Sequence, residues 1–338
     1  MTSFKSYFKL HFKANIRPLI YILATVIFLT FLLGIDDQPT TYYDYDLNMS
    51  FPDYKSTLYI PVIFLSILAY VLPVLEFSFF KKRINLDCAY SLPISRRAMG
   101  TVHYLTGLIT LLGAFTVSYL VNFALLLSRG DGWFNFAPMI AHYLLCLLLG
   151  FAMYSLMVFV FNEANTKGDG IWFMILYSFV MVLVVSALSK ILDDNYLFGD
   201  TFCAIPWEFI NTLTSCYEHL VEIHASHKTA FWQTSEYVGW FIFWVAVGIA
   251  SAVGFFLTFG KRRMEKTEEI SNSYFGYRVL IPIYAAGGMF SIRTSQIFTF
   301  WVIIELFAFL GYTIYRRGFH YKRSDIIILL SLLVFLFI

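Results

Sequence analysis

Long apolar runs separated by short polar stretches constrain this chain more than any motif in it. A helix needs about 20 predominantly apolar residues to cross the hydrocarbon core of a bilayer. Six runs approach or exceed that length: Pro18–Leu33, Leu58–Phe80, Val102–Leu127, Phe136–Phe161, Ile171–Leu192 and Val238–Phe259. A seventh, Val279–Ile292, is short and broken by Pro282 and the Gly287-Gly288 pair, so it reads either as a span or as a re-entrant segment. Ile297–Tyr315 makes a good eighth, and Ile326–Ile338 begins a ninth that stops early. That early stop predicts a natural chain continuing beyond Ile338, with a short terminal hairpin as the alternative. Hydrophobic residues make up 59% and charged residues 14%, against about 45–50% and about 25% in soluble domains. The predicted fold class is all-α: a polytopic membrane protein with a six-span helical core and two to three further C-terminal spans. A net charge of +2 offers nothing for nucleic acid. The first apolar run lacks a small-residue cleavage pattern, so no cleavable signal peptide is expected.

Lysine and arginine placement predicts the orientation, because cytoplasmic loops hold an excess of both. With the N-terminus in the cytoplasm, 19 of the 24 basic residues fall on the inner side. Only Lys55, Arg129, Lys190, Lys228 and Arg293 fall outside. The first outer loop, Asp36 to Thr57, is by contrast acidic and aromatic, with Asp36, Asp37, Asp44, Asp46 and Asp53 against Lys55 alone. It reads as a cation-attracting rim or simply as a loop depleted of basic residues.

Between the second and third runs lies LDCAYSLPISRRAMGTVHYL, a basic loop with Lys81-Lys82-Arg83 before it and Arg96-Arg97 within it. Its apolar cluster of Leu86, Ala89, Tyr90, Leu92 and Ile94 looks built to touch something. On the residues alone, a docking surface and a loop lying on the bilayer stand as equal readings. The loop resembles the one after the second span of ABC-2 type transporter permeases, where SLP-x-S-R-R precedes the third span. In that family the loop carries a short coupling helix that docks on a separate ATPase subunit. The resemblance therefore implies a cytoplasmic coupling loop over 81–101, with Leu86, Tyr90, Leu92 and Ile94 as its contact face.

Residues 1–260 as a whole are similar to the ABC-2 pattern: an amphipathic leading helix, six spans, the SLPISRR loop, and an outer segment before the sixth span. In residues 1–17, Lys5, Lys9, Lys13 and Arg17 recur every four residues, as do Phe4, Phe8, Phe12 and Ile16. Such a helix is expected in the membrane interface, its cations toward lipid headgroups. The domain expectation is thus an interfacial helix at 1–17, a permease core at 18–260 with an external segment at 193–237, and a membrane extension at 261–338. The extension, with GKRRMEKTEEISNSYFGYRVLIPIYAAGG, resembles the extended Ytr-type permeases of low-GC Gram-positive bacteria, linked to cell-envelope antibiotic response. The implied partners are ABC ATPase subunits, a second permease in a homo- or heterodimer, and membrane lipids. The implied location is the bacterial plasma membrane.

Two carboxylates lie inside apolar runs, where an ionised group is costly and usually faces protein or water. Glu76 lies about one helical turn from Lys81, so a basic residue near the inner interface is its expected partner. Glu305 is deeper, in FWVIIELFAF, and reads equally as a substrate-facing residue or as a structural, hydrogen-bonded Glu. In the outer segment, Trp207–His227 reads as helix, and Glu222, His224 and His227 tempt a zinc reading, but their spacing matches no zinc motif. Cys203 and Cys216 are both predicted external, so a disulfide between them is permissible. Cys88 and Cys146 read as inert packing residues.

The chain has no G-x-x-x-x-G-K-[ST] phosphate loop, no G-x-S-x-G elbow and no H-E-x-x-H helix. It is therefore not expected to be an enzyme, and no catalytic residue, cofactor or metal is expected. If ATP drives it, another polypeptide binds the nucleotide. The alternatives are a membrane-embedded enzyme acting on lipid-linked substrates and a non-transporting sensor or scaffold.

Overall fold

The computed structural model describes residues 4–35, 40–44, 49–53, 55–128, 136–191, 201–221, 235–261, 267–269, 271, 273, 275–291, 297–316 and 318–334. The elements run α1 (Phe4–Ile35), β1 (Thr40–Asp44), β2 (Met49–Asp53), α2 (Lys55–Phe77), α3 (Arg83–Tyr90), α4 (Arg96–Ser128), α5 (Phe136–Glu163), α6 (Lys167–Ile191), α7 (Pro206–Val221), α8 (Ser235–Phe259), α9 (Tyr277–Ser291), α10 (Ile297–Arg316) and α11 (Arg323–Val334). Short 3-10 turns at Ser78–Lys81 and Thr201–Ala204 complete them.

Among the described residues six helices, α1, α2, α4, α5, α6 and α8, are long and apolar enough to cross a membrane. Large apolar side chains such as Ile20, Phe28, Leu75, Leu120, Leu144, Trp172 and Ile242 are exposed along them. That is the outward face a multi-pass membrane protein gives to lipid. Among the described residues the fold is predominantly helical, and the exception to the all-α expectation is a hairpin in which antiparallel β1 and β2 pair Thr40 with Asp53 through to Asp44 with Met49. Its Thr-Thr-Tyr-Tyr run is β-branched and aromatic, a composition that suits a strand.

Helix α1 is one uninterrupted element through Pro18, taking in both the amphipathic stretch and the first apolar run. Helix α4 begins where Ser95 caps it, its hydroxyl accepting from the Ala98 N–H at 3.2 Å. The preceding Pro93 separates it from the short α3. Helix α9 spans only 15 residues around Pro282, and α11 only 12.

The chain divides into two compact units. The first holds residues 1–80, 84–159 and 206–262. In it, α4 packs against both α1 and α2. Buried Thr30 and Ser118 join α1 to α4 by a hydroxyl–hydroxyl bond of 2.7 Å, the polar contact typical between membrane helices. Gly248 of α8 lies so close to Ala152 of α5 that a Cβ would overlap the Ala152 backbone.

The second unit holds residues 81–83, 160–205 and 263–338. Here α6 packs on α9, and α9 on α10, around a core of Ala285, Met289 and Ala308. Helix α6, expected as the fifth span of an 18–260 core, thus groups with the C-terminal helices. Tyr277 of α9 donates to Asp169 at the start of α6 at 2.8 Å. The Asp325 carboxylate accepts from the Lys322 N–H at 3.1 Å, a third-position acid closing back on the start of α11.

Candidate metal centre

The N-terminal part of α1, the last turn of α2 and the first turns of α4 meet in the first unit, and each contributes one chemically active side chain. These are His11, Glu76 and His103. The Glu76 Oε2 atom lies 3.2 Å from His11 Nε2 and 3.2 Å from His103 Nδ1. One ligand atom from each residue falls within 4.8 Å of the others. The two imidazole rings lie 3.9 Å apart between centroids, tilted by 51°. The side chains are 14% (His11), 10% (Glu76) and 8% (His103) exposed, so water does little to solvate this carboxylate.

Neighbouring residues fix the geometry. Phe80 sets its ring edge-on to His103 at 4.8 Å and to Phe259 at 5.4 Å. Gly107, one turn along α4 from His103, is what lets Glu76 and Tyr154 approach. A Cβ there would overlap the Tyr154 hydroxyl and come within 3.2 Å of Glu76 Cγ. Asn15, one turn along α1 from His11, places its amide nitrogen 2.9 Å from His11 Nε2. A cavity of about 440 Å³ opens on the cluster, its polar lining being Tyr7, His11, Asn15, Glu76, His103 and Thr110.

Two imidazole nitrogens and a carboxylate oxygen are a donor set that suits zinc and other first-row divalent metals. No family model matches the chain, and neither a curated protein nor a solved structure shows detectable similarity to it.

The residues singled out in the sequence are placed as follows. Glu76 finds two histidines, not a lysine or arginine. The Lys81 ammonium is buried and bonded instead to the carbonyls of Phe161, Asn162 and Ala164. Glu305 is half-buried on α10, and its Oε2 atom has no hydrogen-bond partner among the described residues. The described residues of the expected coupling face differ in exposure. Leu86 is buried at 2% exposure, Ile94 is half-buried, and Leu92 is exposed. The side chain of Tyr90 lies outside the described residues.

No bond joins Cys203 to Cys216, so the permitted disulfide is not formed. The Cys203 side chain is sealed within the Thr201–Ala204 turn, and Cys216 sits half-buried on α7, where burial pushes its thiol up. Helix α7 is described only to Val221, which leaves Glu222, His224 and His227 outside the described residues.

Sequence reasoning missed His11 and His103. They lie 65 and 27 positions from Glu76, and no local spacing joins them. One signal was available: all three sit within six positions of a basic residue, on helix ends that a strict in–out alternation brings to one membrane face.

Proposed function

We propose that this chain is the membrane-spanning, non-catalytic permease subunit of an ABC transporter of the ABC-2 type, powered by a separate ATPase. The observation that carries the reading is helix α3 with its SLPIS turn. It lies between the second and third membrane-length helices, flanked by Lys82-Arg83 and Arg96-Arg97, with Leu92 presented at 44% exposure. Its length and place suit a coupling element. The positive-inside bias supports a cytoplasmic position for it and for the N-terminus, in a bacterial plasma membrane.

In this reading two permease chains, identical or sister, pair through their spans. Closure of the ATPase dimer on nucleotide pushes the coupling loop and shifts the spans between inward and outward states. Such a shift requires that nucleotide bind the two states unequally. Helices α9, α10 and α11 form an added membrane segment, which suits transport or mechanical work on a partner outside the membrane, as in cell-envelope antibiotic response.

Co-expression with a candidate Walker-motif ATPase tests the proposal. The ATPase is expected to co-purify with the chain, and its ATP turnover to rise in the complex. The chain alone is expected to take up no ATP photolabel. Specific labelling of the isolated chain, or its turnover of a lipid-linked substrate without any ATPase, would replace this reading with the enzyme one.

A further inference from the structure

We propose that His11, Glu76 and His103 bind a divalent transition metal of the zinc class, which fastens α1 to α2 and α4. Three observations point to a cation at this spot.

The distances come first. A tetrahedral zinc with bonds of about 2.0–2.1 Å sets its ligand atoms about 3.3–3.4 Å apart. Glu76 Oε2 already stands 3.2 Å from each histidine nitrogen, and the full set lies within 4.8 Å, so small ring movements bring all three onto one ion. The cavity beside them leaves room for water as a fourth ligand.

The hydrogen-bond inventory comes second. His11 Nε2 faces the Glu76 carboxylate at 3.2 Å and the Asn15 amide at 2.9 Å. A ring nitrogen carries either a proton or a lone pair. It cannot donate to Glu76 and accept from the Asn15 amide nitrogen together. Turning the amide presents its oxygen instead, and two acceptors then face one nitrogen. With the amide turned, an ion on His11 Nε2 and the Glu76 oxygen can take the Asn15 oxygen as well, and the conflict is gone.

Charge comes third. Glu76 is a carboxylate held in an apolar helix at 10% side-chain exposure, and the ammonium nearest to it in sequence, Lys81, is bonded to backbone carbonyls. The imidazoles orient this anion by hydrogen bonds, and a divalent cation held by the same three atoms places charge directly against it.

The three ligands come from three helices, so the ion works as a staple at one end of the first unit. The inference concerns the single chain and stands apart from the transporter reading. Its test needs no ATPase, so failure of one leaves the other untouched.

The experiment uses the full chain, purified in nanodiscs through a tag without histidine and stripped with chelator. Zn²⁺ is then titrated, and Co²⁺ serves as a spectroscopic substitute. The wild type is expected to bind one Zn²⁺ per chain, to show Co²⁺ visible absorption of a nitrogen–oxygen tetrahedral site, and to unfold at a higher temperature with metal. His11→Gln keeps an N–H that can donate to Glu76 but lacks the imidazole lone pair. Since second-shell changes alone weaken metal sites by about 10–100-fold, losing a ligand is expected to lower zinc affinity at least about a hundredfold. The variant is also expected to lose the metal-dependent thermal shift while unfolding like the metal-free wild type. Equal zinc uptake by wild type and His11→Gln, or no stoichiometric uptake by the wild type, overturns the proposal.

Discussion

The Lys81 ammonium donates to the Phe161 carbonyl at 2.7 Å while lying 4.8 Å above the Phe161 ring. It also donates to the carbonyls of Asn162 at 3.2 Å and Ala164 at 2.6 Å, so all three of its protons have acceptors at the end of α5. The last carbonyls of a helix lack partners within it, and a cation there also meets the negative end of the helix dipole. Lys81→Met keeps the length of the stem and removes the donors. The Phe161 carbonyl keeps the Ala164 N–H at 3.3 Å, while a buried carbonyl that loses its hydrogen bond costs about 1–3 kcal/mol. Lys81→Met is expected to destabilise the protein by about 3 kcal/mol, at the upper end for single substitutions. Thermal unfolding followed by tryptophan fluorescence checks it, and a shift no larger than that of a surface lysine control would show that the cap is not needed.

Gly107 and Tyr154 make the next prediction. Gly107→Ala sets a methyl against the Tyr154 hydroxyl and against Glu76 Cγ. Overpacking of this kind costs about 1–3 kcal/mol. Combining it with Tyr154→Phe removes the overlapped oxygen and only a long 3.3 Å bond to the Tyr104 carbonyl. The double variant is therefore expected to recover most of the lost stability. A double variant no more stable than Gly107→Ala alone would place the strain at Glu76 instead.

Arg316 grips Asp325 through two nitrogens, Nε to Oδ2 at 2.8 Å and an Nη to Oδ1 at 2.9 Å. Asp325 is 2% exposed, so removing the arginine strands a carboxylate. Arg316→Leu is expected to destabilise by about 3–5 kcal/mol, the range for breaking a buried pair from one side. Adding Asp325→Asn to it is expected to restore part of that loss. A double-mutant cycle on chemical unfolding measures the coupling, and strictly additive losses would show that the pair does not act as one.

These pairs show which parts of the molecule were legible in the sequence and why. The apolar runs became helices because hydrophobic content and length decide that locally, and among the described residues the hairpin at Thr40–Asp53 departs from the helical expectation. Glu76 stands out in the sequence, since a carboxylate in an apolar run is locally anomalous. Its partners were not legible. Lys81 is one turn away in sequence, yet the chain leaves α2 through a 3-10 turn at Ser78–Lys81 that sends the lysine to the end of α5. In the sequence His11 lies in the stretch of alternating basic and aromatic residues at 1–17, and His103 near the start of the third apolar run. Only the packing of α1 and α2 on α4 makes them neighbours. The grouping of α6 with the C-terminal helices is equally a matter of which apolar faces fit, and hydropathy does not encode that.

The loop between α2 and α4 yields the sharpest prediction, because two leucines six positions apart have opposite exposure. Leu86 is 2% exposed and Leu92 is 44% exposed. If both served one docking face, truncating either would weaken ATPase binding. Their burial separates the roles. Leu86→Ala removes a packed side chain, for which losses of about 2–5 kcal/mol in stability are typical, and is expected to act on folding of the chain. Leu92→Ala leaves the fold alone and is expected to weaken the ATPase complex. A hot-spot truncation costs about 2 kcal/mol or more, which is roughly thirtyfold in affinity at about 1.4 kcal/mol per decade. Arg96 and Arg97 are exposed at the start of α4, and exposed charge pairs contribute about 0–1 kcal/mol, so their replacement by glutamine is expected to change affinity by less than tenfold. Paired measurements decide the matter: unfolding temperature of each variant alone, and affinity for the ATPase in nanodiscs. Should Leu92→Ala bind with wild-type affinity, the contact lies elsewhere, and the basic segment ending in Arg278 is the next place to look.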